Sequence, residues 1–225
     1  YDGNTALGNA TVTGTSWSFT PVHALSDGRH TLSAVVQNSA GNQSVSNSPY
    51  TVTIDTAAPL TPTISDAAVQ NGIVNALHDT DSQTLTGSAE AGSTVQIYLN
   101  GAKTPSYTVT ADAQGQWSQK IGTLPNGSYS YVTTATDAAG NVSPGSAPLV
   151  FTVDAQAPVV TINGEVSSNA DLTQAKSGDT ITVSFTSTDA VTTATIGGKT
   201  AIVSHLADGS YTASYTVQAN DTIGS

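Results

Sequence analysis

The sequence predicts an all-β protein made of tandem β-sandwich repeats. Three observations predict it: a Thr/Val/Ser/Gly-rich, aromatic-poor composition with only 9% charged residues, an internal repeat of 99 residues, and Gly/Asn/Asp turn signals between short alternating segments.

The repeat decides the architecture. Asp27-Gly28-Arg29-His30-Thr31-Leu32 aligns with Asn126-Gly127-Ser128-Tyr129-Ser130-Tyr131, and Ala40-Gly41-Asn42 with Ala139-Gly140-Asn141. Val52-Thr53-Ile54-Asp55-Thr56-Ala57-Ala58-Pro59 is matched by Phe151-Thr152-Val153-Asp154-Ala155-Gln156-Ala157-Pro158, and the offset is 99 residues in all three pairs. Trp17 and Trp117 match after a one-residue gap. A third, more divergent copy carries Leu206-Ala207-Asp208-Gly209-Ser210-Tyr211, echoing Leu124-Pro125-Asn126-Gly127-Ser128-Tyr129. Such a period is too long for a solenoid and suits an immunoglobulin-like sandwich of about seven strands.

The middle copy reads strand by strand. Residues 61–65 are expected as strand A, 84–89 as B, and 94–99 as C, ending at the Asn100-Gly101 turn. Residues 107–111 follow as D, 116–121 as E, 128–136 as F and 148–153 as G. Trp117 and Leu124 are expected in the core. Tyr129, at the start of F, stands where sandwiches place a corner hydrogen bond. The boundaries fall at Pro59 and Pro158, each ending a short acidic link without a Gly/Ser stretch, so closely abutting domains and an extended rod are expected. The domains are then an incomplete repeat over 1–59 lacking strands A and B, a complete one over 60–158, and a divergent one over 159–225, incomplete at its C-terminus. That reading makes the chain a stretch of a longer array.

Sixteen acids, fourteen of them Asp, stand against five bases, for a net charge of −11. A net-negative surface argues against nucleic acid and anionic lipid, which need Lys/Arg clusters, and is compatible with divalent cations. The chain has no Cys, which excludes thiolate chemistry, and no apolar run of membrane-spanning length.

Four motifs carry a family resemblance: Ala89-Glu90-Ala91-Gly92-Ser93-Thr94-Val95, Ala111-Asp112-Ala113-Gln114-Gly115-Gln116-Trp117, Thr136-Asp137-Ala138-Ala139-Gly140-Asn141 and Val153-Asp154-Ala155-Gln156-Ala157-Pro158. With them the chain resembles the bacterial Ig-like repeats of giant type-I-secreted, non-fimbrial adhesins, most strongly over 60–158. Through Lys176-Ser177-Gly178-Asp179-Thr180-Ile181-Thr182-Val183 the third copy resembles a variant subtype. The resemblance implies a non-enzymatic stalk segment on the bacterial cell surface, stiffened by calcium between domains. Its partners would be Ca²⁺ and neighbouring repeats, with a host-cell or biofilm receptor engaged by another region. Alternative readings are a ligand-binding Ig-like module for glycan or protein, and accessory repeats of a secreted polysaccharide-degrading enzyme.

The sandwich topology gathers scattered acids. The B–C, D–E and F–G turns share the end where strand A enters, and in the middle copy they carry Glu90, Asp112 and Asp137. The link entering that end carries Asp55. Four carboxylates there repel one another unless a cation neutralises them, and a hard ion taking about six to eight oxygens, Ca²⁺ rather than Mg²⁺, is the natural answer. The competing reading is that acids at turns merely cap them. A second set is Asp154, Asp189 and Asp221, with Asp79 or Asp81 as an added ligand. The first copy has Asn38 where Asp137 stands.

Other constellations fail. His23, His30, His78 and His205 lack metal-ligand spacing and are expected at surface or turn positions. Glu90 and Asp112 make a poor glycosidase pair, being on turns without an aromatic cleft. Asp66 and Asp171 are expected to be solvated.

Overall fold

The structure, a computed structural model, describes residues 1–221, and every regular element among them is a β-strand. The chain divides into two compact units, Tyr1–Ala155 and Gln156–Ser225.

The first 59 residues form β1 (Thr11–Thr13), β2 (Ser16–Ser18), β3 (Gly28–Leu32), β4 (Val35–Gln37), β5 (Gln43–Val45) and β6 (Tyr50–Ile54). They pair antiparallel as β1 with β2, β3 with β6 and β4 with β5. This repeat has no closed core. Trp17 is 58% exposed, whereas its counterpart Trp117 is 4% exposed. An open groove of about 710 Å³, lined by Trp17, Phe19, Leu32, Val35 and Tyr50, runs along it. The one buried side chain among residues 1–58 is His30, 8% exposed on β3. That corrects the expectation of a surface or turn histidine.

The middle repeat is a two-sheet sandwich. Its strands are β7 (Ser65–Asp66), β8 (Ile73–Asn75), β9 (Thr84–Ser88), β10 (Thr94–Leu99), β11 (Tyr107–Thr110), β12 (Gln116–Lys120), β13 (Gly127–Thr136) and β14 (Leu149–Asp154). One sheet has the order β12-β9-β7, the other β11-β10-β13-β14-β8. The strand expected as D pairs with β10 in the five-stranded sheet, Ile97 opposite Tyr107. Two details depart from the sequence reading. The strand expected over 61–65 is regular only at Ser65–Asp66. β8 was not anticipated; it lies parallel to β14 and delivers the fully buried Val74 to the core.

Alternation along the strands fills the space between the sheets, as the pleat requires. Val95 and Ile97 on β10, Leu85 on β9, Trp117 on β12, Tyr131 on β13, and Phe151 and Val153 on β14 are buried together, with Leu124 packed against them. The rings of Tyr129 and Tyr131 lie 5.6 and 6.1 Å from that of Phe151. Burial pushes the Tyr131 phenol up to about 12. The Tyr129 hydroxyl donates to the Pro125 carbonyl at 2.8 Å, the corner hydrogen bond expected at this position. Gly87 permits a close approach: a Cβ there would lie 2.0 Å from the Thr63 carbonyl oxygen and 2.6 Å from the Trp117 ring.

The third repeat forms β15 (Val160–Ser167), β16 (Thr180–Ser187), β17 (Ala194–Ile196), β18 (Lys199–His205) and β19 (Tyr211–Thr216), in one antiparallel sheet of order β15-β16-β19-β18-β17. Phe185, Ala201, Tyr211 and Ala213 form its small core, with the Phe185 and Tyr211 rings 5.6 Å apart.

Candidate functional site

Register brings three loops of the middle repeat to one end. Thr94 pairs with both Thr110 and Thr136, so the loops bearing Glu90, Asp112 and Asp137 leave the five-stranded sheet side by side. Two of them are stitched together: the Ala89 N–H donates to the Gly115 carbonyl at 2.9 Å, and the Gly92 N–H to the Ala111 carbonyl at 3.1 Å. Gly115 sits at φ +75°, and a Cβ on it would come within 2.5 Å of the Ala89 carbonyl oxygen. Only glycine fits both constraints.

The Asp112 and Asp137 loops share one design. Asp112 Oδ1 accepts the backbone N–H groups of Gln114 and Gln116 at 2.9 and 2.8 Å, and Asp137 Oδ1 accepts those of Ala139 and Asn141 at 2.8 and 2.9 Å. These short side chains complete the turn that the backbone alone leaves open. In the first repeat, Asn38 Oδ1 accepts from Ala40 and Asn42 at 3.0 and 2.9 Å in the same way. A neutral carboxamide therefore suffices to close the loop.

Asn141 joins this end to the link. Its Nδ2 donates to Asp137 Oδ2 at 2.8 Å and to the Asp55 backbone carbonyl at 3.0 Å. The Asn141 carboxamide, first, and the backbone N–H groups hold the Asp137 carboxyl below the usual carboxylate range. The exposed Asp55 accepts the Ala57 N–H through its own Oδ1 at 3.1 Å. Glu90 is exposed beside a shallow recess formed with Leu60, Thr61, Ser88 and Ala89.

The remaining acids have local roles. Asp154, exposed, ends β14 opposite Asn75. Asp79 Oδ1 accepts the Leu124 N–H at 2.9 Å, and Asp81 pairs with Lys120 at 3.1 Å. Asp189 accepts the Thr188 hydroxyl at 2.8 Å. Asp221 accepts the Gln218 N–H and the Tyr215 hydroxyl, both at 2.7 Å, and faces Lys199 at 3.4 Å. These partners, the Gln218 N–H first, lower its carboxyl. Asp171 is exposed, binding only the N–H and hydroxyl of Thr173, as expected. Asp66 is not: it is 8% exposed and accepts Gln83 Nε2 at 2.8 Å and the Ala68 N–H at 2.9 Å.

Hard carboxylate and carbonyl oxygens are the right donors for Ca²⁺ in kind. Their arrangement does not form a ready cage, because among the described residues no three His, Asp or Glu side chains group to hold a metal ion. Nothing local in the Ala139-Gly140-Asn141 motif marks Asn141 as a site residue. Its role depends on a contact with Asp55 across 86 residues, which no local spacing encodes.

Residues 1–56 and 61–155 match the family model of the bacterial Ig-like domain. The chain belongs to that family. A second model, the bacterial Ig-like domain of group 3, matches residues 111–204 of this Ig-like chain. Among solved structures it is similar to a Ca²⁺-stabilized adhesin that helps an Antarctic bacterium reach out and bind ice, at 26% identity over 84% of this chain and 49% of that one, with a TM-score of 0.33. A tetra-tandem repeat from the extending region of a large adhesion protein matches at 24% identity over 91% of this chain and 52% of its own, with a TM-score of 0.38. A 1.5-MDa bacterial ice-binding adhesin matches at 26% identity over 85% and 64%, with a TM-score of 0.33. The chain thus spans about half to just under two thirds of these structures. No curated protein matches it in sequence.

Proposed function

We propose that these Ig-like repeats are a stalk segment of a bacterial surface adhesin, spacing a binding region away from the cell. The observation that carries the reading is the Asn141 bridge, in which one carboxamide holds both the Asp55 carbonyl of the link and the Asp137 carboxylate of the next repeat. A spacer needs restricted hinges, and a link hydrogen-bonded to the domain it enters restricts one. Repeats of about seven strands, rising about 3.3 Å per residue, would each lengthen such a rod by roughly 40 Å.

In the same reading, calcium at this end draws on Asp55, Glu90, Asp112 and Asp137. What supports it is the charge at Asp112 and Asp137, given that Asn38 closes the same loop without any. Type I secretion, as an unfolded chain, would deliver the segment before calcium binds. Calcium titration by calorimetry on the 225-residue chain, with small-angle scattering at each end point, tests the proposal. Saturable binding with a narrowed spread of interdomain angles is expected; no binding at millimolar calcium removes the ion from it.

A further inference from the structure

We infer that the first repeat is closed by a doubly protonated histidine, His30, at the position where the middle repeat uses a tyrosine, so that this one corner is locked in acid and loosened in alkali.

The two corners superimpose residue by residue in the sequence. At the 99-residue offset His30 stands over Tyr129, Ser26 over Pro125 and Thr31 over Ser130, while Asp2-Gly3 stands over Asn100-Gly101 at an offset of 98. The contacts correspond. In the middle repeat the Tyr129 hydroxyl donates to the Pro125 carbonyl at 2.8 Å, and Asn100 Oδ1 accepts the Ser130 N–H at 2.9 Å. In the first, His30 Nε2 meets the Ser26 carbonyl at 2.7 Å, and Asp2 Oδ1 accepts the Thr31 N–H at 3.0 Å. The first repeat adds one contact: His30 Nδ1 lies 2.5 Å from Asp2 Oδ2. Tyr and Asn have been exchanged together for His and Asp.

This exchange fixes the protonation state. A backbone carbonyl and an ionised carboxylate can only accept, so both ring nitrogens must donate, and only the imidazolium has two N–H groups. A neutral ring would leave one nitrogen lone pair facing an oxygen lone pair in the most buried position of the repeat, where an unmade hydrogen bond is most costly.

The charged surroundings are sparse. Asp2 faces the ring, and the Tyr1 nitrogen donates to the Ser33 carbonyl at 2.9 Å. Arg29 and Asp27 flank His30 along the chain, with Asp27 engaged by Thr56, and the opposing residue on β6 is Val52. The Asp2 hydrogen bond, then the Ser26 carbonyl, raises His30 above its ordinary 6.5, and the His30 hydrogen bond lowers Asp2 below its ordinary 3.8. The His30 contribution to stability is therefore fully present below pH 6.5 and lost as pH rises through the raised value. The Asp2 contribution is present above pH 3.8 and lost as pH falls through the lowered one. The lock is tightest between those two ordinary values. The Tyr129 corner rests on a hydroxyl donating to a carbonyl, with no ion pair in it.

The test uses the whole chain with ¹⁵N-labelled histidine and amide exchange read in the same molecule. Long-range ¹H–¹⁵N spectra should show two protonated ring nitrogens on His30 in acid, with a midpoint above 6.5. Protection of the Thr31 amide, divided by that of Ser130 as an internal reference, should fall several-fold between about pH 5 and about pH 8 and beyond. Asp2→Asn, which installs the middle repeat's residue, should lower the His30 midpoint, and Asp2→Asn with His30→Tyr should make the ratio constant. A single ring proton on His30 in acid, a midpoint at or below 6.5, or a ratio constant in the unaltered chain would overturn the inference. So would a midpoint unmoved by Asp2→Asn, a variant that decides the matter even if the double variant does not fold.

Discussion

Asn141 Nδ2 donates to the backbone carbonyl of Asp55 at 3.0 Å, fastening the link between two repeats to the loop of the repeat that follows. Asn141→Ala removes this contact and the one to Asp137, each worth about 0.5–1.5 kcal/mol net. Amide exchange of residues 55–58 should accelerate while the amides of β13 stay protected. Unchanged exchange in the link would mean that its conformation is set by Pro59 and its neighbours.

Asp66→Ala should cost about 1–3 kcal/mol, because it leaves the 3%-exposed Gln83 amide without the acceptor it reaches at 2.8 Å. Urea unfolding is the measurement, and a midpoint lowered at constant slope is the expected result. Asp171→Ala, at an exposed turn, is the matched control and should stay within about 0.5 kcal/mol.

Gly87→Ala should destabilise the middle repeat by about 1–3 kcal/mol or more, since the added methyl meets backbone at Thr63 and the Trp117 ring. A weakened or shifted Trp117 near-UV signal should accompany the loss. Full retention of stability would show that β9 and the Thr63 segment separate at little cost.

What the sequence made legible was local or periodic. The Tyr129 corner followed from its place at the start of a strand, and the burial of Trp117 from its place on one. Alternation reports which face a residue occupies but not which strand lies beside it. Residues 107–110 were therefore legible as a strand, whereas their place beside β10 was not. β8 has three residues and no turn signature of its own, so its parallel pairing with β14 left no periodic trace. The burial of His30 is encoded in the 99-residue alignment, which lays it over Tyr129, and not in the residue type, since an imidazole is equally at home on a surface. The four carboxylates were expected to converge because their loops share an end; the loops do, but each Asp side chain turns back on its own backbone.

Chelation of calcium should leave the β circular dichroism of the chain unchanged, because the middle core is built from Leu85, Ile97, Trp117 and Phe151, and the acids lie at its ends. Loss of the signal on chelation would make the ion part of the fold.

Asp137→Asn separates the two readings of the acidic loops. As a turn residue, Asn at this position should work, since Asn38 already accepts both backbone N–H groups in the equivalent loop. The loop should stay formed, and its dependence on acid should vanish. In the native chain the ionised Asp137 stabilises the loop above pH 3.8, and that stability is lost as pH falls through its lowered value. The variant also forfeits the acceptor for Asn141 Nδ2, so a change in hinge behaviour alone would be ambiguous. Asn141→Ala resolves this, because it loses the same hydrogen bond but keeps the carboxylate. If calcium uses Asp137, affinity in the range of about 10⁻⁴–10⁻³ M typical of extracellular modules should drop about tenfold in Asp137→Asn, about 1.4 kcal/mol, and stay near the native value in Asn141→Ala. Calorimetry on the two variants decides the matter. Equal affinity in both would leave Asp137 as a turn residue that any Asn could replace.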